Sequence, residues 1–326
     1  MKNNRIIAFP VYAIFSLFLS QGMVAQTFTV SGHKLMDANG NEFVIRGMNV
    51  PFAWHFDRSM KDLKMMSEMN INCIRIVWDT KGKPNALKKT VKKIVGLKMV
   101  PMIELHDATG DTTKENLLRL AKYYAQPAIK KVLLPMEKYL LVNIANEWGN
   151  HNTTGEFWNE CYREAISILR DAGYKTTIVI DAPGWGQNIE PIQKYGKELT
   201  GSDPLKNLLF SVHMYYYWND ARKIDTELDK TISMDLPLIV GEFGYNFDKG
   251  FNNLDCKVDH TMVLKKCNEL GIGYLPWSWT GNNKDNAWLD VAEFRGKDAL
   301  TWWGRQVIES EAGIRKNAER ASVFTE

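Results

Sequence analysis

Eight short apolar runs, rich in β-branched residues, recur along the chain at regular spacing. They occupy residues 43–50, 72–78, 100–106, 141–147, 177–183, 208–215, 237–244 and 273–279. The ends of successive runs lie 28 to 41 residues apart, which leaves room each time for a strand, a helix and two loops. Because the runs are apolar almost throughout, we expect each strand to be buried on both faces, as in a parallel sheet.

Amphipathic segments occupy the intervals between these runs. Examples are residues 59–70, 114–126, 157–173 and 259–271, which have apolar residues at helical spacing and Gly or Asn near their ends. Eight strand–helix units over roughly 250 residues predict an α/β fold of the (β/α)₈ TIM-barrel type. An open doubly wound sheet is the alternative, but such a sheet usually has fewer strands and a Gly-rich phosphate-binding turn, which this sequence lacks.

The first 25 residues have the pattern of a secretory signal peptide. Lys2 and Arg5 precede an uncharged run of 14 residues from Ile6 to Leu19, and Ala25 is a small residue at a potential cleavage site. The run is shorter than the ~20 residues that span a bilayer. We therefore expect residues 1–25 to be removed and the protein to be secreted or periplasmic, with an uncleaved anchor as the alternative.

The remaining chain is predicted to form a single (β/α)₈ domain, residues 26–310, followed by a C-terminal tail, residues 311–326. Asn39-Gly40 lies between strand-like stretches and predicts a small N-terminal β-hairpin, which we expect to cap the floor of the barrel. The tail is charged and has little pattern, so we expect the last helix to fray into it.

The charges of the mature chain nearly cancel. The sequence has 41 Lys and Arg against 38 Asp and Glu, and the loss of Lys2 and Arg5 would leave 39 against 38. A nearly neutral exported protein has no electrostatic basis for binding nucleic acid or an anionic membrane surface. We expect an uncharged partner, no membrane association after removal of the signal peptide, and a monomer.

Four cysteines are too few for a disulfide scaffold in a chain of this size. Cys73 lies in a strand-like run and Cys161 in a helical segment, and we expect both to be buried free thiols. Cys256 and Cys267 flank a short polar stretch, and the sequence leaves open whether they form a disulfide. The Cys and His spacing does not suggest zinc, and we predict neither a metal nor another cofactor.

Two glutamates end apolar runs, where an unpaired charge would cost several kcal/mol. Glu147 ends the fourth run and Glu242 ends the hydrophobic part of the seventh, 95 residues later. We expect both on the C-terminal rim of the barrel, where barrel enzymes place their active sites. Two carboxylates facing each other across a site suggest hydrolysis of a glycosidic bond. A pair of structural, ion-paired glutamates is the alternative.

Further polar and aromatic residues fall at the same predicted rim. The polar candidates are Asn49, Arg75, His106, Asp107, Asn146, His213 and Tyr215. The aromatic candidates are Trp54, Trp78, Trp148, Trp185, Trp218, Trp277, Trp279 and Trp288. Trp158 and one of Trp302 and Trp303 are expected in the core. Because indole and phenol rings stack on sugar rings, a neutral aromatic cleft predicts a neutral polysaccharide as the partner.

The motifs around these residues resemble glycoside hydrolase family 5, a family of retaining (β/α)₈ glycosidases. The resemblance covers about residues 28–305 and rests on Arg75 in IRIVW, His106 in ELHD, Asn146-Glu147, His213-Met214-Tyr215, Glu242 in GEFG, and Trp277-Ser278. The motifs HDATG, IANEWG and WSWTGN resemble the bacterial endo-β-1,4-mannanase branch. The cellulases of the family usually carry Asn-Glu-Pro at strand four, where this chain has Trp148 after the Glu. Pro276, just before Trp277, departs from the expected strand pattern.

The resemblance implies a retaining endo-β-1,4-mannanase that hydrolyses mannan, glucomannan or galactomannan by double displacement. Glu242 would be the nucleophile, and Glu147 would be the general acid and base. The supporting residues would be Arg75 and Tyr215 beside Glu242, Asn146 at the sugar 2-hydroxyl, His106 and His213 as orienting or sugar-binding groups, Trp277 as the sugar platform, and Trp78 and Trp148 as further aromatic contacts. An endo-β-1,4-glucanase and a non-catalytic polysaccharide-binding barrel are the alternatives. A metal-dependent barrel hydrolase would need a His-x-His strand, which the sequence lacks.

Overall fold

The structure, a computed structural model, describes residues 27–294 and 300–324. The predicted signal peptide lies outside these residues. Within them, eight parallel strands follow one another in chain order around a barrel and alternate with helices. The predicted (β/α)₈ fold is therefore confirmed.

Each of the eight apolar runs contains one barrel strand. The strands are β3 Gly47–Val50, β4 Cys73–Trp78, β5 Val100–Leu105, β6 Leu141–Asn143, β7 Ile178–Asp181, β8 Leu208–Met214, β9 Leu238–Phe243 and β10 Gly273–Tyr274. The barrel closes between its last and first strands, because Tyr274 forms a parallel bridge with Arg46 and the Trp279 backbone N–H donates to the Asn49 carbonyl at 2.9 Å.

Helices surround the barrel, and several begin with residues suited to a helix start. The helices are α1 Phe52–Glu68, α2 Pro84–Gly96, α3 Lys114–Ala125, α4 Pro127–Leu133, α5 Gly155–Asp171, α6 Glu190–Ser202, α7 Ala221–Ser233, α8 His260–Glu269, α9 Trp302–Glu309 and α10 Ile314–Asn317. The side chains of Thr154 and Asp259 cap α5 and α8 by accepting backbone N–H groups. Pro84 and Pro127 occupy first turns, where a missing N–H costs no hydrogen bond. None of the helices in residues 27–294 and 300–324 has the length and apolar character needed to cross a membrane.

An N-terminal hairpin closes the floor of the barrel, as predicted. Its strands β1 (Thr29–Ser31) and β2 (Lys34–Met36) pair antiparallel, and Phe28, Leu35 and Phe43 pack with the first residues of the barrel strands. The hairpin turns at Gly32 (φ +60°), and Asn39-Gly40 instead forms a second turn that brings Met36 opposite Glu42. The hairpin is confirmed, but its turn lies seven residues before the position we expected.

The C-terminal segment also packs on the floor, so the prediction of a frayed tail is wrong for residues 311–324. Val323 and Phe324 are buried in the same apolar cluster as the hairpin. The Asn72 side chain donates to the Glu319 carbonyl at 2.9 Å, and the Ser322 hydroxyl donates to the Asp37 carboxylate at 2.7 Å. The apolar residues at the end of the chain therefore complete the cover of the barrel floor.

The cysteines Cys73, Cys161, Cys256 and Cys267, all within the described residues, are buried free thiols. The structure thus confirms the expectation for the first two and leaves Cys256 and Cys267 unbonded.

Candidate active site

A cleft of about 460 Å³ lies at the C-terminal ends of the barrel strands. Its lining comprises His106, Thr109, Asn146, Glu147, His151, Trp185, Gln187, Tyr215, Tyr216, Tyr217, Glu242, Asn253, Leu254, Trp277 and Asn286. A second cavity of about 340 Å³ shares Trp277 and Asn286 and continues past Trp54 and His55. The two predicted carboxyls therefore lie in an aromatic groove that extends beyond Trp277.

Glu147 follows strand β6 in an unusual backbone conformation. Its φ of +48° lies in the left-handed region, which costs an L-residue on the order of 1–2 kcal/mol. The Glu147 N–H donates to Oδ2 of Asp181 at 3.1 Å, and Oε1 of Glu147 lies 2.7 Å from Nδ1 of His213. These two contacts hold the carboxyl in the cleft.

Glu242 is placed by a bulge between strands β8 and β9. Val212 pairs with Val240, but the next residue, His213, pairs with Glu242, so Gly241 is an extra residue. A Cβ at Gly241 would clash with Oγ of Ser211 and lie 3.0 Å from Nε2 of His213. Only glycine fits this position without displacing its neighbours, and the bulge turns the Glu242 side chain towards the other carboxyl.

Arg75 connects the residues beneath the cleft. Its guanidinium is buried, and all five of its N–H groups have acceptors within 3.4 Å. The acceptors are Oδ1 of Asn143, Oδ1 of Asn49, Oε1 of Glu242, Oδ1 of Asn146 and Oδ2 of Asp181. A fully paired guanidinium fixes these side chains in one arrangement.

The two carboxyls lie close together. Nδ1 of His213 is 2.7 Å from Oε1 of Glu147 and 3.6 Å from Oε1 of Glu242. One oxygen of each carboxyl lies within 4.8 Å of the other. This is nearer to the ~5–5.5 Å carboxyl separation of retaining glycosidases than to the ~6.5–9.5 Å of inverting enzymes.

Burial raises the pKa of both carboxyls, but their neighbours differ. The pKa of Glu147 lies well above its usual value because burial and the negative charges of Glu242 and Asp181 outweigh Arg75. Burial raises the pKa of Glu242 to about 7, while the charge of Arg75 and the hydroxyl of Tyr215, which donates to Oε2 at 2.9 Å, hold it down. Glu242 therefore ionises first, and Glu147 retains its proton.

The two histidines of the site have opposite electrostatic surroundings. Burial and the positive charges of Arg75 and His106 hold the pKa of His213 well below its usual range, so that this imidazole is neutral. The pKa of His106 is raised, because the charge and hydrogen bond of Glu104, 2.9 Å from Nδ1, outweigh burial. The His106 ring stacks on Trp277, with ring centroids 5.8 Å apart.

Eight of the ten predicted site residues meet in or directly beneath the cleft. They are Arg75, His106, Asn146, Glu147, His213, Tyr215, Glu242 and Trp277. The Asn146 amide donates to Oγ1 of Thr109 at 2.9 Å. Trp277 is half-buried and lines the cleft despite the preceding Pro276.

Trp78 and Trp148 do not reach the cleft, so the expected sugar contacts of these two residues are wrong. Nε1 of Trp78 donates to the Tyr123 hydroxyl at 3.1 Å, and Nε1 of Trp148 donates to the Thr113 carbonyl at 3.0 Å. Both indoles are buried among helices of the outer layer. Trp218 and Trp279 are likewise buried, and Trp303 is the core member of the 302–303 pair, as predicted.

Sequence reasoning missed three buried polar residues under the cleft. Glu104 and Asp181 are acids within apolar strands, and Asn143 ends β6. The signal that identified Glu147 and Glu242, a carboxylate in an apolar run, also marks Glu104 and Asp181. The loop residues of the cleft, such as Gln187 and Asn286, have no such signal.

One group among the described residues has the geometry to hold a metal ion. The ligand atoms of Glu147, His213 and Glu242 lie within 4.8 Å of one another. The Arg75 guanidinium, 2.9 Å from Oε1 of Glu242, opposes a divalent cation at these atoms, because like charges repel strongly in a buried site. The arrangement therefore suits acid–base and nucleophilic chemistry better than metal binding.

Comparisons with known proteins point to one family. A family model described as Cellulase (glycosyl hydrolase family 5) matches residues 36–283. The chain is 36% identical over 306 residues to a mannan endo-1,4-beta-mannosidase of Salipaludibacillus agaradhaerens, a match that covers 92% of this chain and 96% of the relative. It is 32% identical to a protein of the same name from Cellvibrio japonicus, over 94% of this chain and 72% of that one. The mannotriose complex of a Thermomonospora fusca β-mannanase aligns with a TM-score of 0.82 at 30% identity, over 91% of this chain and 99% of that one.

Proposed function

The chain belongs to glycosyl hydrolase family 5 and is a glycoside hydrolase, and from this premise we propose that it is a retaining endo-β-1,4-mannanase. The observation that carries the proposal is the pair Glu147 and Glu242, with oxygens within 4.8 Å in an aromatic cleft. Mannan is the substrate class because the relatives just described carry a mannanase name and one of them binds mannotriose.

Glu242 acts as the nucleophile in the first step. Its carboxylate attacks the anomeric carbon of the mannose and forms a covalent mannosyl–enzyme ester. Arg75 and Tyr215 favour the ionised form, because each donates a hydrogen bond to a different carboxylate oxygen. The same contacts fix the direction of the attacking oxygen.

Glu147 donates the proton that the leaving glycosidic oxygen requires. Its raised pKa keeps it protonated at neutral pH, where the pKa of Glu242, about 7, leaves a substantial fraction of the nucleophile ionised. In the second step, the Glu147 carboxylate takes a proton from water as that water attacks the anomeric carbon and releases Glu242. The enzyme returns to its starting protonation state.

The shape of the groove supports cleavage within a chain. His151, Trp185 and Tyr217 line the cleft that holds the two carboxyls, and Trp54 and His55 line the second cavity, which shares Trp277 with the cleft. Aromatic rings in both cavities can stack on successive sugar units of one chain. Asn146, fixed by Arg75 and Thr109, lies beside Glu147 in position to bind the sugar 2-hydroxyl.

An endo-β-1,4-glucanase is the second candidate, since the matching family model carries the description Cellulase. A panel of mannan, glucomannan, carboxymethylcellulose and xylan separates the two by release of reducing ends. We expect the highest kcat/KM on mannan, and ¹H NMR should detect the β-anomer as the first product. A preference for carboxymethylcellulose, or α-anomer as the first product, would contradict the proposal.

The catalytic roles are tested with Glu147→Ala and Glu242→Ala. We expect both variants to lose activity on mannan by at least about 10⁴-fold and to retain tight binding of mannohexaose. On a 2,4-dinitrophenyl β-mannobioside, whose leaving group needs no proton, azide should restore turnover of Glu147→Ala with a β-mannosyl azide product, and of Glu242→Ala with an α-mannosyl azide product. A binding barrel without catalysis would bind mannohexaose but show no turnover in the wild-type protein, and wild-type turnover abolished by a chelator would favour the metal-dependent class.

Export and subunit state also belong to this proposal. Residues 1–25, with their basic start and apolar run, are proposed to act as a signal peptide that directs the protein to the periplasm or the medium. Mass spectrometry of the exported protein should find Gln26 at its N-terminus. Light scattering should give the mass of a monomer.

A further inference from the structure

We propose that Asp181 is a positioning residue that keeps Glu147 protonated, acting through the imidazole of His213 and the backbone of Glu147. The inference deepens the proposed function and rests on it, since Glu147 is the general acid of that mechanism. Asp181 is the last residue of β7, is fully buried, and does not line the cleft. It can therefore influence the reaction only through its neighbours.

One carboxylate oxygen of Asp181 faces three groups of the site. Oδ2 accepts the backbone N–H of Glu147 at 3.1 Å, and lies 3.4 Å from Nη2 of Arg75 and 3.5 Å from Nε2 of His213. The other oxygen, Oδ1, accepts from the Asn143 amide at 3.2 Å. Glu147 has a φ of +48°, and the hydrogen bond from its N–H to Asp181 stabilises this backbone conformation, which orients the Glu147 carboxyl in the cleft.

The imidazole of His213 lies between two carboxyls. Nε2 faces Asp181, and Nδ1 lies 2.7 Å from Oε1 of Glu147. The ring is neutral, because burial and Arg75 lower its pKa, so it carries one proton. The negative charge of Asp181 favours that proton on Nε2, which leaves the Nδ1 lone pair facing Glu147. A hydrogen bond between Nδ1 and Oε1 then requires the proton of a neutral Glu147 carboxyl.

Direct electrostatics act in the same direction. The titratable groups that face Glu147 from the surrounding strands and loops are Arg75, Glu104, Asp181, His213, Tyr215 and Glu242. Of these, Asp181 stands with Glu242 among the negative charges that raise the pKa of Glu147, whereas Arg75 lowers it. Loss of the Asp181 charge would therefore make Glu147 a stronger acid in the resting enzyme and leave it ionised at lower pH.

The variant Asp181→Asn separates this role from packing. The amide oxygen can still accept the Glu147 N–H, so the backbone contact is kept. With the amide oxygen in the Oδ2 position, no negative charge holds the imidazole proton on Nε2 of His213, so the proton can move to Nδ1, where it would stabilise the Glu147 carboxylate. Activity that needs protonated Glu147 is lost as pH rises through its pKa, so a lower pKa moves the alkaline limb of kcat/KM to lower pH. We expect a shift of about one pH unit and, on that limb, about tenfold lower kcat on mannan with little change in KM.

Asp203→Asn is the matched control. Asp203 is another buried aspartate, which pairs with Arg170 at 2.8 Å and accepts the Asn207 N–H at the end of α6, away from the cleft. This variant should lose thermal stability and keep the wild-type pH profile. An unshifted alkaline limb in a folded Asp181→Asn protein would overturn the inference.

The leaving group of the substrate gives a second readout. Expulsion of 2,4-dinitrophenolate from an aryl β-mannobioside needs no proton, so Asp181→Asn should form the mannosyl–enzyme from this substrate within about threefold of the wild-type rate. An equal loss on mannan and on the aryl mannobioside would contradict the proposal. A wild-type protein inactive on both substrates would overturn the proposed function as well, so the two failures are distinguishable.

The tautomer of His213 can be measured in the wild-type protein, whatever the stability of the variant. We expect ¹⁵N NMR of the labelled imidazole at neutral pH to show a protonated Nε2 and an unprotonated Nδ1. A protonated Nδ1 under these conditions would overturn the inference.

Discussion

Arg75 and Tyr215 both donate hydrogen bonds to the Glu242 carboxylate, whereas the Glu147 carboxyl lies at hydrogen-bond distance from the neutral imidazole of His213. Two carboxyls of the same residue type, both buried, thus have neighbours that favour opposite protonation states. The difference arises from individual donors and not from the degree of burial. The pH dependence of activity should therefore respond to single substitutions at these donors.

Tyr215→Phe should move the acidic limb of the kcat/KM profile to higher pH. The hydroxyl stabilises the Glu242 carboxylate, so its removal raises the pKa of Glu242 above about 7. Activity requires ionised Glu242 and is lost as pH falls through that pKa. A hydrogen bond to a charged group of about 1.5 kcal/mol corresponds to a shift of about one pH unit.

Tyr195→Phe is the control for this experiment, because the Tyr195 hydroxyl also donates to a glutamate carboxylate, that of Glu156, on the exposed surface. We expect its profile to match that of the wild-type protein. The explanation fails if the acidic limb of Tyr215→Phe stays in place, or if Tyr195→Phe shifts it equally.

Trp185→Ala and Trp148→Ala should have separate effects, because only Trp185 lines the cleft. Loss of a stacking surface of about 1 kcal/mol should raise KM for mannohexaose about fivefold in Trp185→Ala, with a small change in thermal stability. Trp148→Ala should lower the free energy of unfolding by about 3–5 kcal/mol, because it leaves a cavity in the core. Kinetics and thermal unfolding of both variants measure the two effects, and a KM effect confined to Trp148→Ala would contradict the structure.

At the scale of elements, the strands were predictable because a strand that is buried on both faces has an almost entirely apolar sequence. All eight runs contain strands, although β6 and β10 have only three and two residues. Both shorten where the chain leaves the sheet to build the site: Glu147 adopts φ +48° after β6, and Trp277 enters the cleft after β10. Tertiary contacts determine these departures, so periodicity in the sequence does not record them.

The candidate site was predictable where a charged residue interrupts an apolar strand, and the two wrong assignments, Trp78 and Trp148, have a common cause. Charged residues in apolar strands identified both glutamates and Arg75. Tryptophan carries no such signal, because the same side chain serves the core and a sugar platform. Trp148 and Trp185 both follow strand ends, and only the packing of the outer helices decides that Trp148 is buried.

Gly241→Ala tests the bulge that places Glu242. The new Cβ would clash with Oγ of Ser211 and press on the His213 ring, and we expect β9 to shift relative to β8 in response. A displacement of about 1 Å at a reacting group costs about 100-fold in rate, and we expect this loss in kcat together with a decrease of about 1–3 kcal/mol in the free energy of unfolding.

Gly96→Ala is the matched control for the bulge. A Cβ at this position, the last residue of α2, meets no atom within 4 Å. Alanine should raise the free energy of unfolding by up to about 1 kcal/mol and leave kcat unchanged. Wild-type kcat in Gly241→Ala would show that the bulge does not determine the position of Glu242.

At the scale of the whole molecule, the barrel has a catalytic end and a structural end. The floor is covered by segments far apart in sequence, the hairpin near Phe28 and the C-terminal residues up to Phe324, which share one apolar cluster. Asp37 in the hairpin accepts from the Ser322 N–H and hydroxyl, so the two segments also bind each other. Closure of the floor therefore ties both ends of the described chain to the barrel, on the side opposite the cleft.

Arg320→Ala should consequently weaken the fold without affecting catalysis. The guanidinium donates to the backbone carbonyls of Ser67 at 2.7 Å, Lys98 at 3.3 Å and Ile71, which joins the C-terminal segment to the barrel floor. Hydrogen bonds from a charged donor to carbonyls contribute about 1.5–3 kcal/mol, so the midpoint of thermal unfolding should fall by about 5 °C. Because the active site lies at the other end of the strands, kcat/KM at 25 °C should equal that of the wild-type protein.

Arg315→Ala is the control, because it removes only an exposed ion pair with Glu309. It should change the midpoint of thermal unfolding by about 1 °C or less. Equal midpoints for the two variants would contradict a structural role of Arg320, and a fall in kcat/KM would contradict the separation of the two ends.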